Sequence, residues 1–153
     1  MTKSQSNNFQ ILLNEARIAG LQAVQKAQVV PMVVSQHVNP MDDNSPIGRA
    51  WFVADGVCGF AWVKVITKMK SSAKDYNRTL NVQFANWMKK QAKSNGRNYD
   101  EILLPEDNAY NGGVDVWVGG FNQSMQRKEA YAHAFADSLR AAGIVCYAQS
   151  RMD

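Results

Sequence analysis

The stretch RAWFVADGVCGFAWVKVI, residues 49–66, carries the clearest β signal in the chain and decides its fold class. AWFVA and CGFAWVKVI flank Asp55-Gly56, a dipeptide suited to the left-handed angles of a tight turn, so the stretch predicts an antiparallel hairpin. Side chains alternate along a strand. Val57, Ala61, Val63 and Val65 therefore share one face of the second strand, and Phe60, Trp62 and Lys64 share the other.

Working back toward the N-terminus, VVPMVVSQ (29–36) is β-branched and strand-like, with Pro31 marking an edge or a strand start. HVNPMDDNSPIG (37–48), with two prolines and a run of Asp and Asn, reads as a loop. A helix is expected over about 8–28, because Phe9, Leu12, Leu13, Ala16, Gly20 and Ala23 recur at helical spacing. Ile11 and Ile18 lie on its opposite side and suggest a homo-oligomer covering that stripe. Residues 1–7 read as a flexible lead-in.

Working forward, TKMKSSAKDY (67–76) is polar and basic. Asn77 or Thr79 caps a helix expected to run to about Asn95, stopped by Gly96. Leu80, Phe84, Trp87 and Met88 form its apolar stripe, and Lys89, Lys90 and Lys93 project from the other side. A short Ile102-Leu-Leu run and PEDNAYNGG follow. Val114, Val116 and Val118 alternate with Asp115 and Trp117 as a strand. Ser124 caps a helix ending at Gly143, and IVCYAQ (144–149) closes as a strand. Strand, helix and strand have the length of a right-handed crossover between parallel strands. The expected fold is α+β: a single domain over 8–153, with a mixed β-sheet made of an antiparallel hairpin and a C-terminal β-α-β crossover, and about three helices packed mainly on one face.

Composition agrees with a globular chain: 46% hydrophobic and 20% charged over 153 residues. Nothing approaches an 18-residue apolar span, and the polar start Met1-Thr-Lys-Ser-Gln-Ser has no signal-peptide core, which together predict a cytoplasmic chain with no membrane partner. The two cysteines, Cys58 and Cys146, sit in apolar strand-like runs and are expected buried and reduced. They form no CxxC pair.

The net charge of +4 conceals an asymmetry. Between Lys64 and Arg97 stand nine basic residues (Lys64, Lys68, Lys70, Lys74, Arg78, Lys89, Lys90, Lys93, Arg97) and one acid, Asp75, so the segment is +8. The remaining 8 basic and 12 acidic residues come to −4. Clustered cations beside aromatic faces are what phosphates and unpaired bases require. Phe60 and Trp62 alternate onto the same strand face as Lys64. The primary reading is thus a non-catalytic accessory protein that binds DNA or RNA through 64–97; one alternative is a structural or oligomer-forming protein, of viral or bacterial type, that buries Ile11 and Ile18 against a second subunit. Large aromatics are mostly buried, so a helix is expected to roof the Trp62 and Trp117 face; an unroofed face would be an aromatic platform with a basic rim.

The opening α-β-β-β-α order with Lys89-Lys90-Gln91-Ala92-Lys93 superficially resembles a double-stranded-RNA-binding domain over the first two thirds of the chain. In that family the KKxAK run opens the second helix, whereas here it lies near the helix end. The family's glycine-proline-x-histidine loop is absent.

Glu129, His133 and Asp137 follow one another at intervals of four on one helix face and define the metal-dependent hydrolase alternative. Arg140 continues that polar face and no second ligand cluster is visible, so no metal or cofactor is expected. Thiol catalysis requires Cys58 or Cys146 near His37 or His133, but an apolar strand raises a thiol's pKa. Gly119-Gly120 before a helix lacks the spacing of a phosphate-binding loop.

Overall fold

Thr2 starts the first helix. Its hydroxyl accepts the Gln5 N–H at 3.2 Å, and α1 runs over Lys3–Lys26, which shrinks the expected lead-in of 1–7 to two residues. Ser6 holds that first turn down by accepting the Trp87 indole N–H at 3.0 Å. In the computed structural model, which describes residues 1–68, 78–94, 100–108 and 112–153, there follow β1 (Met32–His37), β2 (Ile47–Val53), β3 (Gly59–Val65) and α2 (Arg78–Ser94). The chain continues through β4 (Leu103–Asp107), β5 (Val114–Val118), α3 (Met125–Ala141) and β6 (Cys146–Met152).

The expected α+β architecture, with three helices gathered on one sheet face, is the one observed. One four-stranded sheet has the order β4-β5-β3-β6, and β1 pairs with β2 in a separate two-stranded sheet. The crossover is also present: β5 and β6 run the same way through α3. But β3 lies between them, antiparallel to both, so every ladder among the described residues is antiparallel.

The hairpin expected across Asp55-Gly56 does not form between β2 and β3. The turn is made, with Gly56 at φ 71° and its N–H donating to Val53 O at 3.2 Å. Beyond it the chain is captured by the start of α3. Met125 N–H donates to Val57 O at 3.0 Å, and Gly59 N–H donates to Gln123 O at 3.1 Å. β3 then takes β5 and β6 as neighbours, which brings Ala61, Val63 and Val65 into the core, while β2 pairs with β1. The α-β-β-β-α order shared with double-stranded-RNA-binding domains is therefore divided between two sheets.

Inward-facing Ala61, Val63, Val65, Val114, Val116 and Leu103 pack against Phe84, Met88, Phe135 and Leu139 of α2 and α3 in one continuous core. α1 packs along α3 and adds Phe9, whose ring meets Phe84 edge-on at 5.4 Å. Gly20 permits that approach: a Cβ there would stand 2.7 Å from the Tyr131 ring. Fully buried Asn81 ties α2 to the sheet. Its amide donates to Ile66 O and Val145 O, both at 2.8 Å, and its carbonyl accepts the Val145 N–H at 3.0 Å. No helix among the described residues is long and apolar enough to cross a membrane.

Candidate functional site

Strand alternation gives the four-stranded sheet a second face, and none of the three helices roofs it. Phe60, Trp62 and Trp117 stand outside the core cluster and are half-buried, against the expectation that a helix covers them. The reason lies in the inner face. Its valines, one every second residue on β3 and β5, absorb the apolar stripes of α2 and α3, and α1 packs on α3 instead of crossing the sheet.

Pairing register sets the rows of this open face. Leu104, Trp117, Trp62 and Gln149 lie side by side across β4, β5, β3 and β6. The neighbouring row is Glu106, Asp115, Lys64 and Tyr147; on the other side Phe60 stands opposite Arg151. The Trp62 and Trp117 rings lie 4.7 Å apart at 30°, and Phe60 meets Trp117 edge-on at 6.4 Å. These are attractive arrangements for quadrupolar rings, and they leave part of each ring surface in water.

Charge divides the face into two ends. At the Phe60 end the Arg151 guanidinium stands 5.4 Å, and the Lys128 ammonium 5.6 Å, from the ring centroid. Lys128 is 5% exposed and donates to Gly59 O at 3.2 Å, a buried cation steadied by a carbonyl and an aromatic face. A depression of about 450 Å³ opens here, bordered by Phe60, Trp117, Leu104, Lys128, Arg151 and Asn122. Gly119 keeps it open, since a Cβ would come within 2.7 Å of Leu104 Cδ1. The next two residues but one, Phe121 and Asn122, hold left-handed angles at φ 67° and 53°. That is a costly backbone for a phenylalanine, anchored by its ring against Tyr131 at 5.7 Å.

The opposite end is mixed. Lys64 faces Asp115 across the ladder, with Glu106 beyond. Asp115 Oδ2 accepts from Asn108 at 2.9 Å, while its buried Oδ1 finds no hydrogen-bond partner among the described residues.

The described residues of the basic segment stand in several places. Lys64, Phe60 and Trp62 share the open face, and Lys68 is exposed just past β3. Lys89 pairs with Asp107 at 2.6 Å and, with Lys93, borders a groove of about 380 Å³ along the β4 edge. The ammonium of Lys89 holds the Asp107 carboxyl below the ordinary aspartate range. Lys90 is exposed on α2. Lys70, Lys74, Arg97 and the side chain of Arg78 lie outside the described residues.

Other expected chemistry does not assemble. Glu129 accepts the Ser150 hydroxyl at 2.5 Å, Asp137 pairs with Arg140, and His133 is exposed. Among the described residues no group of three His, Cys, Asp or Glu is placed to hold a metal ion. Cys58, expected buried in a strand, is exposed ahead of β3, because only its backbone bridges to Ser124. His37 sits at the far end of β1, its Nδ1 2.6 Å from Ser45 O. Cys146 is buried, and desolvation pushes its thiol up to about 12.

Two cations of the site lie beyond the basic segment. Arg151 was hidden by ending the last strand at Gln149, although Tyr147, Gln149 and Arg151 alternate onto one face. Lys128 had a signal: it precedes Tyr131, Ala132 and Phe135 by three, four and seven residues, on the helix's buried stripe. Comparison of the chain with protein-family models, curated proteins and solved structures gives no match.

Proposed function

We propose that this chain is a non-catalytic nucleic-acid-binding protein that takes a short run of single strand on the open sheet face. Bases stack on Phe60, Trp62 and Trp117, and the backbone runs toward Arg151 and the field of Lys128. One observation carries this reading: a sheet face unroofed by helices displays three aromatic rings beside two cations. Unpaired bases stack on such rings whatever their sequence, at about 1–3 kcal/mol per base. A duplex offers no free base face, so the aromatic rows favour single strands. Glu106 and Asp115 repel phosphate from the Lys64 end and orient the strand toward Phe60.

The test is anisotropy of labelled single-stranded DNA and RNA oligonucleotides, with a duplex control, across a salt series. Binding is expected for a single strand, and Trp117→Ala weakens it by about 5- to 150-fold, the loss of one stacked base. With about two phosphates neutralised, one for each of the two cations, the affinity falls with a log–log salt slope of about −1.4. A slope near that of the whole basic segment, about −6, would move the interface to α2 and its flanks. No binding at low salt, or full binding by Trp117→Ala, sinks the proposal.

A further inference from the structure

Eight of the fifteen exposed large apolar side chains among the described residues fall within 30–53, the β1–β2 hairpin and its flanks. Val34 stands opposite Trp51 on one face of this ribbon, and Val33 opposite Phe52 on the other. Phe52 is 70% exposed and Val33 65%. The ribbon is thus apolar on both faces. Neither of its outer edges has a partner strand among the described residues. Two strands alone are marginally stable in water, and open apolar edges invite pairing.

The ribbon is nevertheless held at both ends. At its root the Val30 N–H donates to Gln126 Oε1 at 2.8 Å, and Arg127 pairs with Asp55 at 2.7 Å. At its tip the Val38 N–H donates to Pro46 O at 2.8 Å, and the Asn39 N–H donates to Ser45 Oγ at 3.1 Å. A braced arm with apolar side chains in water is shaped to dock on another surface.

The occupant follows from area, charge and complementarity. The arm's apolar side chains put on the order of 800 Å² in water, about what each partner buries in a standard interface and more than a monomer's usual apolar patch. Its charges, Arg49 against Asp42 and Asp43, offer phosphates no attraction. Among the other described residues the exposed apolar side chains at helical spacing are Ile11, Ile18 and Leu21, at 54%, 55% and 40% exposure, along the outer side of α1. Each copy therefore carries one arm and one receiving stripe, and reciprocal exchange closes a two-fold pair that covers the stripe and one face of the arm. The geometry points to the β1–β2 hairpin being an assembly arm that docks on α1 of a second copy of this chain.

Light scattering on the full chain after size exclusion, at tens of micromolar, reads the outcome. The wild type is expected at twice the chain mass. Trp51→Ser/Phe52→Ser in the arm and, separately, Ile11→Lys/Ile18→Lys on α1 are each expected at the chain mass with unchanged far-ultraviolet circular dichroism. Replacing 32–53 by a short Gly-Ser linker gives the same result without relying on a ribbon that tolerates polar substitutions. A monomeric wild type, or a pair that survives either double substitution or the linker, overturns the inference. None of these results bears on the sheet face, whose oligonucleotide assay is separate.

Discussion

Asn81→Ala removes three hydrogen bonds at one stroke, those to Ile66 O, Val145 O and the Val145 N–H. Each bond contributes about 1 kcal/mol net to folding, so truncation is expected to cost about 3 kcal/mol. For a chain of 153 residues that lowers the melting temperature by about 6–12 °C. Asn81→Asp is expected to do worse at neutral pH, because a carboxylate cannot donate and would face two carbonyl oxygens in the buried site. Urea unfolding followed by circular dichroism gives the free energies, and an unchanged m-value shows that the transition stays comparable. A loss below about 1 kcal/mol for Asn81→Ala would refute the reasoning, since the three bonds would then exchange evenly with water. The bracket matters beyond stability. It fixes the point where β3 ends and β6 begins, and with it the Lys64 and Tyr147 row of the open face.

Gly20→Ala sets two effects against each other. Helix propensity gains about 1 kcal/mol, while overpacking against the Tyr131 ring at 2.7 Å costs about 1–3 kcal/mol. That ring is stacked on Phe135 at 5.9 Å and cannot swing clear, so net destabilisation is expected in the same urea assay, and a stabilised variant would show that α1 lifts away easily. With a thiol reagent near neutral pH, the native chain is expected to react once, at exposed Cys58, and a second time only in denaturant, because burial holds the Cys146 thiol protonated; two fast equivalents in the native state would contradict the buried position of Cys146.

Periodicity made the helices and the inner sheet face legible. The valines of 114–118 sit where alternation put them, and Phe84, Trp87 and Met88 form the buried stripe expected of α2. β4 was not legible as a strand because LLPED has no alternation and contains Pro105. Its edge position explains why a proline is tolerated there. The partners of β2 and β3 were not legible either. Asp55-Gly56 encodes a turn, but which strand follows it depends on hydrogen bonds to 123–125, almost seventy residues away. The charge of the basic segment was legible, but the neighbours of its described lysines were not. Lys89 pairs with Asp107, and Lys64 stands opposite Asp115 in the ladder, through helix-to-strand and cross-strand neighbours that no linear charge count contains.

The open sheet face and the hairpin arm expose apolar groups for different physical reasons, and the difference sets what each accepts. On the sheet face the rings shield one another, Trp62 against Trp117 and Phe60 under Arg151 and Lys128, and charged residues border them. Such a surface tolerates water and suits a soluble partner that comes and goes, as weaker, more polar interfaces do. On the arm, Val33 and Phe52 have no such shielding and no charged border on their own face, where Ser35 and Ala50 follow. That exposure is what the proposed pairing with a second copy would remove. Both are anchored in the first turn of α3: Gln126 and Arg127 hold the root of the arm, and Lys128 lies against Phe60. Three consecutive residues thus brace the two surfaces from one rigid helix end.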